Sequence, residues 1–296
     1  MSQYFNYNSS KPNRLSSPIF PDFNPRSEMA QKMFNAKMIE DDSYWLTMRE
    51  VFAHDLKTLP MERFKVWASV LSIPFMTRVR CVEYTSMALN AAAEDPRFEN
   101  ALLEPMIGCD EQDFKEQFSV FDNFNTTGNR IAAVCHLLSC GYTPANLEKM
   151  DTIIEFGAGI GELCDVIYKL GFKGKYIIYD LPEVGAIQKW YHDQLGHKNV
   201  VHTTDLEDLQ IADLCIGTWS LTEMPIELRN KILSKTAGSK NWLVAYSNKI
   251  FGMDNNEWIN ETFIPTVALD KEVQFKDIKS MPWHAGTKYL AVKERS

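Results

Sequence analysis

The sequence predicts an α/β protein: a helical front half followed by a doubly wound, mostly parallel sheet. Two observations carry this expectation. Up to about residue 150, apolar residues recur at three- and four-residue steps; beyond it, short apolar runs of strand length alternate with helix-length segments. A third is the turn Gly157-Ala158-Gly159-Ile160-Gly161, which joins the first apolar run of the back half to its first helical segment.

Residues 1–27 are rich in Asn, Ser and Pro and predict a flexible tail, which Tyr4, Phe5, Tyr7, Phe20 and Phe23 can pin to a surface. Residues 28–150 predict an all-helical cap or substrate module. Its helices start near Ser27, at Tyr44–Leu56, Met61–Leu71, Thr77–Ala93 and Asn129–Cys140, the last stopped by Gly141. Residues 151–296 predict the sheet domain. Strands are expected at Thr152–Phe156, Lys175–Tyr179, Asn199–His202, Ala212–Gly217 and Trp242–Ser247. Helices fall at Gly161–Leu170, Val184–Leu195, Pro225–Thr236 and Glu257–Val267. Val273–Ile278 and Tyr289–Val292 read as a closing antiparallel pair.

Composition narrows the class. The net charge is −8 and both halves are acidic, which argues against nucleic acid as the main partner. The longest apolar stretch, near Val66–Met76, is too short for a membrane span and contains Pro74. No secretory signal is visible at the N-terminus, and the six cysteines form no C-x-x-C pair, so a cytoplasmic location is expected and no metal site.

The chemistry concentrates at strand ends. Ligands of open α/β sheets bind outside the carboxyl ends of the strands, and glycine there admits a ligand that a Cβ would exclude. The spacing G-x-G-x-G, with Glu155 at the strand end, departs from the G-x-G-x-x-G of dinucleotide sites, and a carboxylate beside the loop disfavours a diphosphate. Asp180 ends the second strand, where it can take two ribose hydroxyls. Asp205 follows the third, where it can accept from an adenine amino group. Three strand-end acids describe a nucleoside that carries an ammonium and no phosphate, a description that fits S-adenosylmethionine.

IIEFGAGIGELCDVIYKL, then YIIYDLPEV and WSLTEMP, resemble the class I S-adenosylmethionine-dependent methyltransferases, and most closely the bacterial sugar O-methyltransferases. The resemblance covers 151–296 and extends more weakly to NTTGNRIAAVCHLL, similar to the helix that precedes the cofactor domain in that family. It implies a Rossmann-like sheet of seven strands with the last antiparallel, and O-methylation of a sugar or glycan precursor. By position it implies that Glu155, Gly157, Ala158 and Gly159 line the methionine end of the cofactor. Asp180 and Leu181 bracket the ribose, and Asp205 and Leu206 (or Thr204) face the adenine. Thr218, Trp219 and Ser220 approach the sulfonium. Arg130 either reaches the cofactor carboxylate or forms a salt bridge.

A hydroxyl acceptor calls for a general base. Glu223, in W-S-L-T-E-M-P, is one candidate and otherwise a helix-start carboxylate; His284, in M-P-W-H-A-G, is the other and otherwise a loop histidine. His136 reads as a packed helical residue, and Phe156 as core rather than a face for the sulfonium. The expected partners are a small-molecule or glycan acceptor and a second copy docked through the helical cap. N- or C-methylation of a non-sugar metabolite, a nicotinamide-dependent oxidoreductase and a non-catalytic binding module are the alternatives.

Overall fold

A computed structural model describes residues 65, 82–109, 111, 124–250, 252–278 and 286–295. The N-terminal tail, the helices expected between 28 and 71 apart from Lys65, and His284 lie outside the described residues.

The described front half is helical. It comprises α1 (Val82–Glu94), α2 (Pro96–Leu102), α3 (Gly128–Ser139) and the single turn α4 (Pro144–Leu147). Local signals set these ends: the Asp95 carboxylate accepts from the Arg97 N–H ahead of Pro96, and Thr127 caps α3 through the Arg130 N–H. The back half alternates β1 (Thr152–Phe156), α5 (Glu162–Lys169), β2 (Lys175–Tyr179), α6 (Pro182–Leu195), β3 (Val200–Thr203), β4 (Leu214–Thr218), α7 (Ile226–Thr236) and β5 (Asn241–Ser247).

A two-stranded hairpin, β6 (Lys249–Ile250) and β7 (Met253–Asp254), then leads into α8 (Asn255–Trp258) and α9 (Ile264–Val267). The chain closes with β8 (Lys271–Asp277) and β9 (Thr287–Glu294). The single helix expected at 257–267 is interrupted by a wide turn at Ile259–Phe263. Pro265 has no N–H to donate and its ring crowds the carbonyl four residues back, so regular α-helical spacing fails just ahead of it.

The seven-stranded sheet runs β3-β2-β1-β4-β5-β9-β8. Strands β1 to β5 are parallel, and β9 is antiparallel to both β5 and β8. This is the Rossmann-like order with a reversed final strand that the resemblance implied. The order reverses between β1 and β4, which opens a crevice at their carboxyl ends.

Alternation along each strand builds two cores. Ile153, Ile178, Ile216, Leu243 and Ala291 face α1, α2, α3 and α5, packing on Ala88, Phe98 and Val134. Ile154, Ile177, Cys215, Val244 and Leu290 face α7 and the 255–267 segment, on Ile232, Trp258 and Phe263. The five described cysteines are buried and unbridged, as small core hydrophobes.

An ion pair fastens α3 to α5. Arg130 is fully buried, its Nη2 is 2.5 Å from Asp165 Oδ2, and its Nε donates to the Ala101 carbonyl at 2.9 Å. His197 Nε2 and Lys169 Nζ also reach Asp165, at 2.9 and 3.2 Å, and these partners hold its carboxyl well below the usual carboxylate range despite burial. Removing one member of such a pair strands the other charge in a low-dielectric interior. Arg130→Met is therefore expected to cost roughly 3–5 kcal/mol, to be read from the midpoint shift in urea denaturation.

Candidate functional site

The turn after β1 is built from left-handed backbone. Gly157, Gly159 and Gly161 have φ of 68°, 56° and 87°, a region that side-chain-bearing residues rarely enter. Close contacts add to this at two positions. A Cβ on Gly157 would overlap Ser220, which follows β4, and a Cβ on Gly161 would overlap the His192 ring on α6. At Gly159 a Cβ would meet no described residue within 4 Å, so among the described residues this part of the turn borders open space.

Asp180, at the end of β2, clamps the turn. Its Oδ2 accepts from the Ala158 N–H at 3.0 Å and from Gln188 Nε2 at 2.7 Å; its Oδ1 accepts from the Leu181 N–H at 2.7 Å. Gln188 also donates to the Gly159 carbonyl at 2.8 Å. Asp180 is thus already engaged by protein donors on both oxygens, and a ligand hydroxyl would share its remaining lone pairs. Burial pushes its carboxyl up to about 6, against the lowering effect of these hydrogen bonds.

Glu155 lies one pleat below, 2% exposed, and Oε2 accepts from the Tyr176 hydroxyl at 2.7 Å. Burial pushes it up to about 7; the Tyr176 bond opposes this and the nearby Asp180 charge adds to it. No cation among the described residues pairs with either acid. Two neighbouring carboxyls beside a glycine turn, both raised, make a local environment that favours a positively charged group.

Trp219 follows β4 with φ 72° and ψ −55°, the strained γ-turn region, and is the one non-glycine with positive φ among the described residues. Such a conformation costs on the order of 1–3 kcal/mol and persists only where surroundings impose it. Here the Trp219 N–H donates to the Ala245 carbonyl at 2.7 Å, while its carbonyl accepts from the Thr222 N–H and hydroxyl at 3.2 and 2.9 Å. The indole Nε1 is buried with no acceptor among the described residues. Ser220 donates to the Phe156 carbonyl, so the β1 and β4 ends are bonded as well as touching. Thr218 sits half-buried in register with Ala245.

Glu223 ends the short turn after Ser220. Its carboxyl is half-buried and makes no hydrogen bond or ion pair with the described residues. Burial pushes it up to about 7, with Arg229 pulling the other way at longer range. Arg229 itself is spent on the Met224 and Thr222 carbonyls and on Asn255 Oδ1, and it lies over the Trp258 ring.

The remaining expected residues fall elsewhere. Asp205 is exposed, follows β3 and caps the turn Leu206–Asp208 through the Glu207 N–H at 2.9 Å. Arg130 is occupied by Asp165, which leaves Nη1 without an acceptor among the described residues. Phe156 is fully buried and stacks on Trp242 in the far core, so it offers no face to the crevice. His136 is buried against the Tyr289 hydroxyl at 2.7 Å, and burial lowers it to about 4, which keeps the ring neutral.

Sequence reasoning missed three contributors. Gln188 ties the turn to Asp180, and nothing in a helical glutamine signals that. His192 donates from Nε2 to the Gly161 carbonyl at 3.0 Å, and its Nδ1 then accepts from His202 Nε2 at 3.0 Å. Lys65 is buried against Glu104, 3.7 Å from Glu162 at the start of α5, and burial lowers its ammonium to about 8.

No family model matches the chain, and no curated protein matches it. Among solved structures, the mitomycin 7-O-methyltransferase MmcR aligns at 12% identity and a TM-score of 0.39, over 56% of this chain and 56% of that one. A SAM-dependent methyltransferase from Aquifex aeolicus aligns at 17% and 0.40, over 54% and 88%. PigF with SAH aligns at 16% and 0.36, over 49% and 51%, so the chain spans about half the length of MmcR and of PigF. Likeness at this level carries no functional weight.

Glu155 supplies a test of the unpaired acid. An acid whose folded value lies near 7 and whose unfolded value lies near 4.5 holds its proton more tightly when folded, so stability is lost as pH rises through that interval. Glu155→Gln, which keeps an acceptor for Tyr176, is expected to raise stability by about 3 kcal/mol at pH 8 and hardly at all at pH 4. Thermal melts of both proteins at the two pH values check this.

Proposed function

We propose that the chain is an S-adenosylmethionine-dependent methyltransferase that methylates a hydroxyl of a sugar or other small-molecule acceptor. The observation that carries the reading is the unpaired acid pair. Among the described residues, Glu155 and Asp180 flank a left-handed glycine turn with open space at Gly159, and neither acid has a cation. A ligand with an ammonium and ribose hydroxyls answers both acids. A diphosphate would be repelled by both, which disfavours a nicotinamide cofactor.

These residues fit the cofactor. Glu155 would hold its ammonium, Asp180 a ribose hydroxyl, and the Asp205–Leu206 turn the adenine edge. Bound there, the cofactor supplies a methyl group on a sulfonium. The chain's own contribution is position and proton handling. Thr218, Trp219 and Ser220 lie at the carboxyl end of β4 beside the end of β1, and Glu223, at the end of the turn that follows, has no competing partner among the described residues and would face the acceptor. A carboxylate near 7 is basic enough to take the proton of a hydroxyl as it attacks. The sugar class of the acceptor rests on the resemblance in the D-L-P-E-V and S-L-T-E-M-P segments.

Calorimetric titration tests the cofactor. S-adenosylmethionine and S-adenosylhomocysteine are expected to bind and nicotinamide dinucleotides are not, with Asp180→Ala weakening binding by about ten- to a hundredfold. Absence of binding by either adenosyl ligand overturns the reading. Because the base must be deprotonated, turnover should rise with pH through about 7 and level off above it. Glu223→Gln should lower kcat by roughly a hundredfold or more while leaving cofactor affinity unchanged. Turnover unaffected by that substitution would favour an acceptor that needs no protein base.

A further inference from the structure

The two edges of the sheet are unlike. On one side β3 is four residues long and half-buried. On the other, β8 is seven residues long, regular in register against β9 along its whole length, and mostly exposed. Among the described residues no strand pairs with its outer edge. Long edge strands are ordinarily blunted by a proline, a bulge or charged side chains, lysine above all. This strand, Lys-Glu-Val-Gln-Phe-Lys-Asp, has neither proline nor bulge, and its two lysines are balanced in number by two acids, Glu272 and Asp277.

The matching has a symmetry. Set antiparallel to a copy of itself about Gln274, Lys271 opposes Asp277, Glu272 opposes Lys276, Val273 opposes Phe275, and Gln274 opposes Gln274. Every charge meets its opposite and every apolar residue meets another. One face would carry Val273 and Phe275 from both copies between two Lys–Asp pairs; the other would carry Gln274 between two Glu–Lys pairs.

The backbone agrees with this register. Ile278 donates its N–H to the Thr287 carbonyl at 3.0 Å, so by alternation the even-numbered residues of β8 turn their backbone toward β9. Lys271, Val273, Phe275 and Asp277 then present theirs outward, and these are the residues the symmetric register places opposite one another.

Phe275 is 47% exposed, with the Lys288 ammonium over its ring at 6.0 Å, and Leu269, two residues before the strand, is 82% exposed. Lys271 donates its ammonium to the Ser239 carbonyl and its N–H to the Ala268 carbonyl at 3.2 Å, and Gln274 donates to Glu272 at 2.6 Å; the outward N–H groups of Val273, Phe275 and Asp277 have no acceptor among the described residues.

We propose that β8 is a homodimerisation strand: two copies of this chain join antiparallel about Gln274, making one continuous sheet across both. The inference is independent of the chemistry proposed for the crevice, and it places self-association at the sheet edge instead of the helical cap. Sedimentation equilibrium of the full chain, from low micromolar to a few hundred micromolar, should show a monomer–dimer equilibrium. By symmetry Glu272→Lys sets two like-charge pairs across the interface and should weaken the dimer by about tenfold or more. Glu272→Lys with Lys276→Glu restores both pairs and should restore the dimer, which separates pairing from any damage to the fold.

Gln274→Cys supplies a positional readout. Opposed residues at a non-hydrogen-bonded site lie about 4.5 Å apart at Cα, within disulfide range, so mild oxidation should yield a covalent dimer in this variant and much less when Glu272→Lys is added. A chain that stays monomeric throughout, a dimer indifferent to Glu272→Lys, or a dimer that gives no crosslink through position 274 would each overturn the proposal.

Discussion

The structure depends on one backbone constraint: three residues in five, Gly157, Gly159 and Gly161, hold left-handed conformations just after the carboxyl end of β1. That run lets β1 end abruptly and α5 begin without a crossing loop. It also lets neighbours press against bare backbone, Ser220 on one side and His192 on the other. The carboxylate of Asp180 then fixes the turn through the Ala158 N–H, with Gln188 bracing the same acid and the Gly159 carbonyl. A side chain at Gly157 or Gly161 would separate β1 from β4 or from α6 and undo the crevice that the strand order creates.

Stability is spent at this crevice. Glu155 and Asp180 sit side by side without a cation among the described residues, Trp219 holds a strained conformation, and its indole donor is buried unanswered. Each is unfavourable alone, and together they lie where the sheet changes direction. The compensation comes from the continuous cores on both faces and from the buried Arg130–Asp165 pair that binds α3 to α5. Rigid surroundings and an unsatisfied centre are what a site requires if a ligand is to complete it.

The same buried ion pair shows why a residue's type underdetermines its role. Arg130 admits two uses from sequence, an anion contact or a salt bridge, and only the arrival of Asp165 from 35 residues later assigns its Nη2. Glu155 and Asp180 read alike as strand-end acids, yet one meets a tyrosine hydroxyl and the other a set of backbone donors. The histidines on α6 and β3 carry no pattern of their own. Their order, from His202 to His192 to the Gly161 carbonyl, exists because parallel strands and helices bring distant segments within 3.0 Å.

What the sequence determined by itself is local and periodic. Alternating apolar runs marked the strands, glycine spacing marked the turn, and acids spaced along the chain marked the carboxyl ends of β1, β2 and β3, because strand period and backbone conformation are properties of neighbours. The wide turn ahead of Pro265 and the β6–β7 hairpin escaped, since neither has a periodic signature. Tertiary structure decided the rest: that Phe156 stacks on Trp242, that Trp219 is strained, and that, among the described residues, Glu223 is left without a partner and β8 has no strand on its outer edge. Those are matters of burial and pairing between segments far apart in the chain, and no local pattern records which segment will arrive.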